Sequence, residues 1–125
     1  MSVNLVVVTQ EDVEAMLALA SMYYRREGTR APSYVPDDFW TANYLKWMGE
    51  AAKKGHGEAM AAIGMAFIKG RGVEKNINRG IRYLEESAKL GYSNAQYDIG
   101  FAYAYGEDVP KDIDKAIRYL KMAAD

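Results

Sequence analysis

Two stretches decide how this chain reads: GHGEAMAAIGMAFIKGRGVEKNINRGIRYLEESAK at residues 55–89, and GYSNAQYDIGFAYAYGEDVPKDIDKAIRYLKMAAD at residues 91–125. Laid over each other without a gap, at a spacing of 36 residues, they match at Gly55/Gly91, Ala59/Ala95, Ile63-Gly64/Ile99-Gly100, Ala66/Ala102 and Gly70/Gly106. The match continues at Val73/Val109, Lys75/Lys111, Ile77/Ile113, Ile81-Arg82-Tyr83-Leu84/Ile117-Arg118-Tyr119-Leu120 and Ala88/Ala124. Self-similarity at this period marks an array of stacked structural units, each too small to bury its own apolar face.

A third, weaker copy lies upstream. Ala15, Leu19-Ala20 and Tyr23 match the first half of the unit, and Leu45-Lys46-Trp47-Met48 with Ala51-Ala52 match the second. Ala15 precedes Ala59 by 44 residues, so this copy holds about eight extra residues, placed in the segment 27–38 with Gly28, Pro32 and Pro36. The chain therefore divides into repeat 1 at about 10–54, repeat 2 at about 55–90 and repeat 3 at about 91–125, within one domain covering 1–125.

Each unit reads as helix, short loop, helix. Ala59, Ile63, Ala66, Phe67 and Gly70 recur three and four apart, which lays one apolar stripe on a helix. Gly70-Arg71-Gly72 stops that helix, Asn76 and Asp112 cap the next ones, and Gly55 and Gly91 follow the last turns of second helices, where a positive φ is required. At the N-terminus Thr9 is the expected cap, with Asp12 three residues on and Val8 and Val13 as a staple. Helices are predicted at about 10–26, 38–54, 57–69, 77–89, 93–105 and 113–124. Gly64, Gly100 and the equivalent Ala20 leave room for the paired helix. Phe67, Tyr103 and Tyr23 fill the space beside that contact, facing Tyr83, Tyr119 and Trp47.

Composition bounds the function. Half of the 125 residues are hydrophobic and 26% are charged, the balance of a folded globular chain. The net charge of -1 and the absence of any Lys/Arg run longer than a pair exclude the electrostatic footprint of a nucleic-acid binder. With no cysteine there is no disulfide framework, thiolate metal site or thiol nucleophile. Leu5-Val6-Val7-Val8 is too short to span a bilayer and lacks the flanks of a secretory signal, so no membrane association is expected and the protein reads as cytoplasmic.

Ala-x-x-x-Ile-Gly-x-x-Phe-x-x-Gly-x-Gly-Val at Ala59 to Val73, followed by Ile81-x-Tyr83-Leu84 and Ala88-x-x-Gly91, resembles the Sel1-like repeat. Ala95-x-x-x-Ile99-Gly100 through Gly106-x-x-Val109 to Ala123-Ala124 fits as well. The resemblance covers about Val13 to Asp125. It implies an all-α fold: a right-handed α-α superhelix of three hairpins and about six helices, related in architecture to tetratricopeptide repeats. It implies a non-catalytic adaptor that binds a protein or peptide on its concave side; some bacterial members act in signalling, envelope biology or toxin neutralisation. Repeat 1 departs from the family pattern, with Ala20 in place of Gly and the Pro-containing insertion in place of the Gly-x-Gly-Val loop.

If the stripe holding Ile63, Gly64 and Phe67 packs inward, the first-helix residues beside it line the concave surface. Those are Leu17, Ser21, Tyr24 and Arg25 in repeat 1, then Glu58, Ala61, Ala62, Met65, Ile68 and Lys69 in repeat 2, then Asn94, Tyr97, Asp98, Phe101 and Tyr105 in repeat 3. Aromatic residues and Met are enriched where proteins bind proteins. The competing reading has Met65, Ile68 and Phe101 merely touching neighbouring hairpins. An apolar floor with a charged rim suits a helix or an extended peptide. No polar end-cap helix is expected after Ala124, so that end is kept soluble by Lys115, Arg118 and Lys121, forms a homodimer or is part of the partner site.

Residues that could carry chemistry have structural uses instead. His56, the sole histidine, lies between two helices with no second imidazole or thiol, so no metal and no cofactor are expected. Gly70-Arg71-Gly72 lacks the Gly-Lys-Ser/Thr of a phosphate loop, and Asp37 or Asp38 is better used as a helix cap than as half of a catalytic pair. A protein-binding module is therefore the expectation, and a toxin-neutralising immunity protein is its narrower version. The rival is a hydrolase such as the beta-lactam-binding activity proposed for cysteine-rich relatives, against which the missing cysteines and positioned base count.

Overall fold

The computed structural model describes residues 10–25 and 37–125. They form six helices: α1 (Gln10–Arg25), α2 (Asp37–Lys53), α3 (Gly57–Lys69), α4 (Ile77–Lys89), α5 (Ser93–Tyr105) and α6 (Ile113–Ala124), with no strand among the described residues. Consecutive helices pair as hairpins α1·α2, α3·α4 and α5·α6. The hairpins stack through α2·α3 and α4·α5, and α3 also touches α5. The Thr9 cap, the Val8–Val13 staple and residues 27–36 of the insertion lie outside the described residues.

Caps set the helix boundaries. Asn76 Oδ1 accepts from the Arg79 amide at 3.1 Å and Asp112 Oδ1 accepts from the Lys115 amide at 3.1 Å, as the repeat predicts. His56, expected as a plain loop residue, instead caps α3, its Nδ1 accepting from the Ala59 amide at 3.2 Å. Gly70 and Gly106 close α3 and α5 at φ +68° and +69°, a left-handed conformation that glycine adopts without a Cβ penalty.

Small side chains set the helix separations. Ala20, Ala51, Ala59, Ala88 and Ala95 are essentially inaccessible at the crossings. A Cβ on Gly64 would stand 2.8 Å from the Gly80 carbonyl oxygen, so the pair Gly64 and Gly80 brings α3 and α4 into backbone contact. Beside that contact Phe67 stacks on Tyr83, with centroids 5.9 Å apart and planes 9° off parallel, and Tyr103 on Tyr119 at 6.4 Å and 9°. The Arg79 guanidinium lies 4.8 Å from the Phe67 ring centroid and the Lys115 ammonium 5.1 Å from that of Tyr103, so each pair also carries a cation over its first-helix ring.

Repeat 1 breaks this pattern. Tyr23 packs not on Trp47 but on Phe39 at 6.0 Å and Trp40 at 6.3 Å. As the expected helix at about 38–54 implies, α2 is 17 residues long where α4 has 13. Half of the extra length is thus an added N-terminal turn of α2, and its two aromatic residues give Tyr23 a nearer partner than Trp47.

The two interfaces between hairpins hold the core. Val13, Ala20, Met48, Ala51, Ala52, Ala59 and Ile63 join hairpins one and two; Ile68, Ile81, Leu84, Ala88, Ala95, Ile99 and Tyr103 join two and three. The polar groups sealed here are paired. Gln96 Nε2 donates to the Ala88 carbonyl at 2.9 Å, and Ser87 Oγ donates to the Gly57 carbonyl at 2.6 Å, tying α4 to the start of α3.

Candidate functional site: a groove along the first helices

Burying one stripe of α1, α3 and α5 against their second helices leaves the adjoining stripes on one side of the stack. Three depressions follow one another there. Leu17, Ser21, Tyr24, Arg25 and Glu58, with Tyr44 and Met48, line about 440 Å³. Tyr23, Tyr24, Trp40, Thr41, Tyr44, Leu45, Ala62, Met65, Lys69, Arg71 and Gly72 line about 640 Å³ between hairpins one and two. Met65, Lys69, Asp98, Phe101, Glu107 and Asp108 border about 190 Å³ between hairpins two and three. The first two share Tyr24 and Tyr44, and the last two share Met65 and Lys69, so the depressions form one continuous groove.

The structure sorts the sequence-derived residues. Leu17, Tyr24, Arg25, Glu58, Met65, Lys69, Asp98 and Phe101 come together along the groove. Tyr97, Phe101 and Tyr105 form an outward ladder on α5, their rings 6.0 and 6.2 Å apart and within 24° of parallel, of which Phe101 borders the smaller depression while Tyr97 and Tyr105 stand beside the groove. They are 41%, 45% and 75% exposed, so Phe101 does more than touch a neighbouring hairpin. Two residues are corrected. Ile68 is only 5% exposed, because it packs against Gly80 where α3 and α4 approach closely, so it belongs to the core and reaches the smaller depression only as part of its floor. Asn94 lies on α5 away from the depressions, its amide donating to Tyr92 Oη at 3.0 Å. Ala61, from the same stripe, is likewise buried.

Residues off the first helices complete the walls. Tyr44, Trp40, Thr41 and Leu45 come from α2, Arg71 and Gly72 from the α3–α4 loop, and Glu107 and Asp108 from the α5–α6 loop. The signal for the α2 wall is the aromatic run Phe39-Trp40 with Tyr44, which follows the Pro-containing insertion directly. Gly72 sits at φ +75°, and a Cβ there would meet Thr41 Cγ2 at 2.5 Å, so this glycine lets the loop press onto α2.

The groove is electrically divided. Lys69 and Arg71 are the charged residues around the large depression, whereas Asp98, Glu107 and Asp108 border the smaller one. Burial raises the Asp98 carboxyl above the usual aspartate range. Burial also raises the Tyr44 hydroxyl, with Tyr24, Glu58 and Tyr92 adding to it, and the Tyr24 and Tyr44 rings lie 5.3 Å apart. Among the described residues no group of His, Asp and Glu is placed to hold a metal ion, and no helix is long and apolar enough to cross a membrane.

Stacked antiparallel hairpins with an open groove along their first helices define an α-solenoid repeat protein. The Sel1 repeat model matches residues 13–34, 45–56, 57–92 and 93–125, and the chain belongs to the Sel1 repeat family. Sel1 repeat proteins generally serve as non-catalytic scaffolds for protein–protein interaction. Among solved structures, the chain is similar to a Sel1 repeat protein from Oxalobacter formigenes, at 31% identity and a TM-score of 0.73, over 90% of this chain and 79% of that one. It resembles c5321, a protective antigen of uropathogenic Escherichia coli with an SLR fold, at 23% identity and a TM-score of 0.75, over 90% of this chain but 22% of that one. Helicobacter pylori cysteine rich protein B shares the fold at 14% identity and a TM-score of 0.63, over 94% and 90% of the two chains. A comparison with curated protein sequences finds no match.

Proposed function

We propose that this chain is a protein-binding module that holds a helical or extended segment of a partner protein in the groove along α1, α3 and α5. The observation that carries this reading is the ladder Tyr97, Phe101 and Tyr105. Three large rings on one turn-spaced stripe, stacked and open to solvent, form the kind of exposed apolar patch that marks an interaction site. The fold makes no use of them, since α5 already buries Ala95, Ile99 and Tyr103 on its other side.

Charge defines the segment further. A partner carrying bulky apolar residues with a carboxylate beside Lys69 and Arg71, and a cation beside Asp98, Glu107 and Asp108, complements the groove along its length. Asp98 gains most from such a cation, because burial already disfavours its charged form. Binding through it weakens as the pH falls toward its raised pKa.

Peptides selected from a random display library on the intact chain supply the test, with affinities measured by fluorescence polarisation. Tyr97→Ala combined with Tyr105→Ala is expected to weaken the selected peptides at least about tenfold, given the energies of aromatic anchors. Helical circular dichroism and the thermal midpoint are expected to stay as in the parent, because both rings lie outside the core. Unchanged affinity in the double variant would remove the groove from the reading.

A further inference from the structure

The two ends of the stack present faces that the interior hairpins bury. Ile77, Ile81, Leu84 and Ala88 of α4 stand 36 residues before Ile113, Ile117, Leu120 and Ala124 of α6. Beneath α5, Ile81 is 7%, Leu84 1% and Ala88 0% exposed. In α6, with no helix packed over it among the described residues, Ile113 is 48% and Ile117 47% exposed, Leu120 is half-buried and Ala124 is open. The side chains are the same, and only the covering first helix differs.

The opposite end mirrors this. Ala15 of α1 holds the place of Ala59 and Ala95, both 0% exposed beneath a preceding second helix, yet Ala15 is open to solvent. Leu19, in the place of Ile63 and Ile99, is half-buried where those two are sealed. One end therefore carries the donor half of an inter-hairpin contact, and the other carries the acceptor half.

We propose that copies of this chain stack head to tail, α6 of one copy receiving α1 of the next as α4 receives α5. Charge selects this arrangement. Helices in such a contact run antiparallel, as α4 and α5 do across their short turn. The first half of α1, with Asp12 and Glu14, then lies along the second half of α6 with Arg118 and Lys121, so opposite charges share that end of the contact. A two-fold α6·α6 pairing would instead set Lys115, Arg118 and Lys121 against their own copies. A heterologous contact does not stop at two copies, so the assembly grows into rings or open stacks.

Sedimentation velocity of the 125-residue chain up to high micromolar concentration tests this, with two variants that each block one end at an exposed position: Ile117→Glu on α6 and Ala15→Arg on α1. The parent is expected to grow in mass with concentration beyond the dimer. Each variant alone is expected to associate at least about tenfold more weakly while keeping its helical circular dichroism. Their equimolar mixture is expected to form a dimer and nothing larger, because one intact tail meets one intact head. A parent that stays monomeric overturns the proposal, as does a dimer that survives Ala15→Arg, or a mixture of variants that does not associate.

Discussion

Gly64 and Gly100 occupy the same place in successive repeats, yet their surroundings differ in what can yield. A Cβ on Gly64 would meet the Gly80 carbonyl oxygen at 2.8 Å and Tyr83 Cβ at 3.1 Å, and neither backbone can move without separating α3 from α4. On Gly100 the nearest atoms are Leu120 Cγ and Cδ2 at 2.8 Å, part of a half-buried side chain that can rotate, with the Ala116 carbonyl oxygen farther off at 3.5 Å. Alanine gains about 1 kcal/mol of helix propensity at either site. Overpacking exceeds that gain only at Gly64, so Gly64→Ala is expected to lose about 1–2 kcal/mol net while Gly100→Ala stays within about 1 kcal/mol of the parent. Urea midpoints read the difference, and the opposite order would show that the α3·α4 backbones can separate. The sequence marked both glycines as close approaches, but which of them is rigidly opposed depends on atoms of the partner helix.

Between elements, Tyr119 ties α6 to α4. Its hydroxyl donates to Glu85 Oε2 at 3.1 Å. Burial, the Glu85 charge and that hydrogen bond push its pKa up to about 12 from the ordinary 10. Above pH 10 the unfolded chain releases this proton while the folded chain keeps it, so the native state binds more protons and its stability falls as pH rises from about 10 to about 12 relative to a chain without this group. The stability slope with pH is negative because the folded chain holds the extra proton, and the contribution present below pH 10 is lost as pH climbs to about 12. Tyr119→Phe is expected to flatten that decline in thermal midpoints recorded from neutral pH into this range; parallel declines in the two proteins would remove Tyr119 as its source. Helix lengths and caps were legible because each is written in two or three adjacent residues, as at Asn76 and Asp112. The longer α2 was legible too, expected from about 38 and found from Asp37, because the helix pattern resumes directly after Pro36. The Trp40 and Tyr44 wall of the groove was missed because only first-helix residues were expected on the concave surface, and which second-helix rings reach it depends on how the hairpins stack.

For the whole molecule, stability follows from each hairpin resting on its neighbours. Leu84 is 1% exposed between hairpins two and three, whereas its counterpart Leu120 is half-buried at the end of the stack. Leu84→Ala is therefore expected to cost about 3–4 kcal/mol and Leu120→Ala about 1–2 kcal/mol, as read from chemical denaturation. Equal losses would mean that the end of the stack is covered in solution, the condition that head-to-tail association creates. Dilution to the monomer then restores the difference.

By itself the sequence determined the number of hairpins, the ends of their helices and the stripe that each buries, because a 36-residue period and its glycines are local and recur. It also pointed to the aromatic stripe of α5, whose four-residue spacing needs no partner to be seen. Only the tertiary structure decided that Ile68 is sealed while Phe101 is open, and that α2 and two loops wall the groove. Only there do identical isoleucines become core in α4 and surface in α6. Burial belongs to what lies opposite a side chain, and in a stack that is always another repeat.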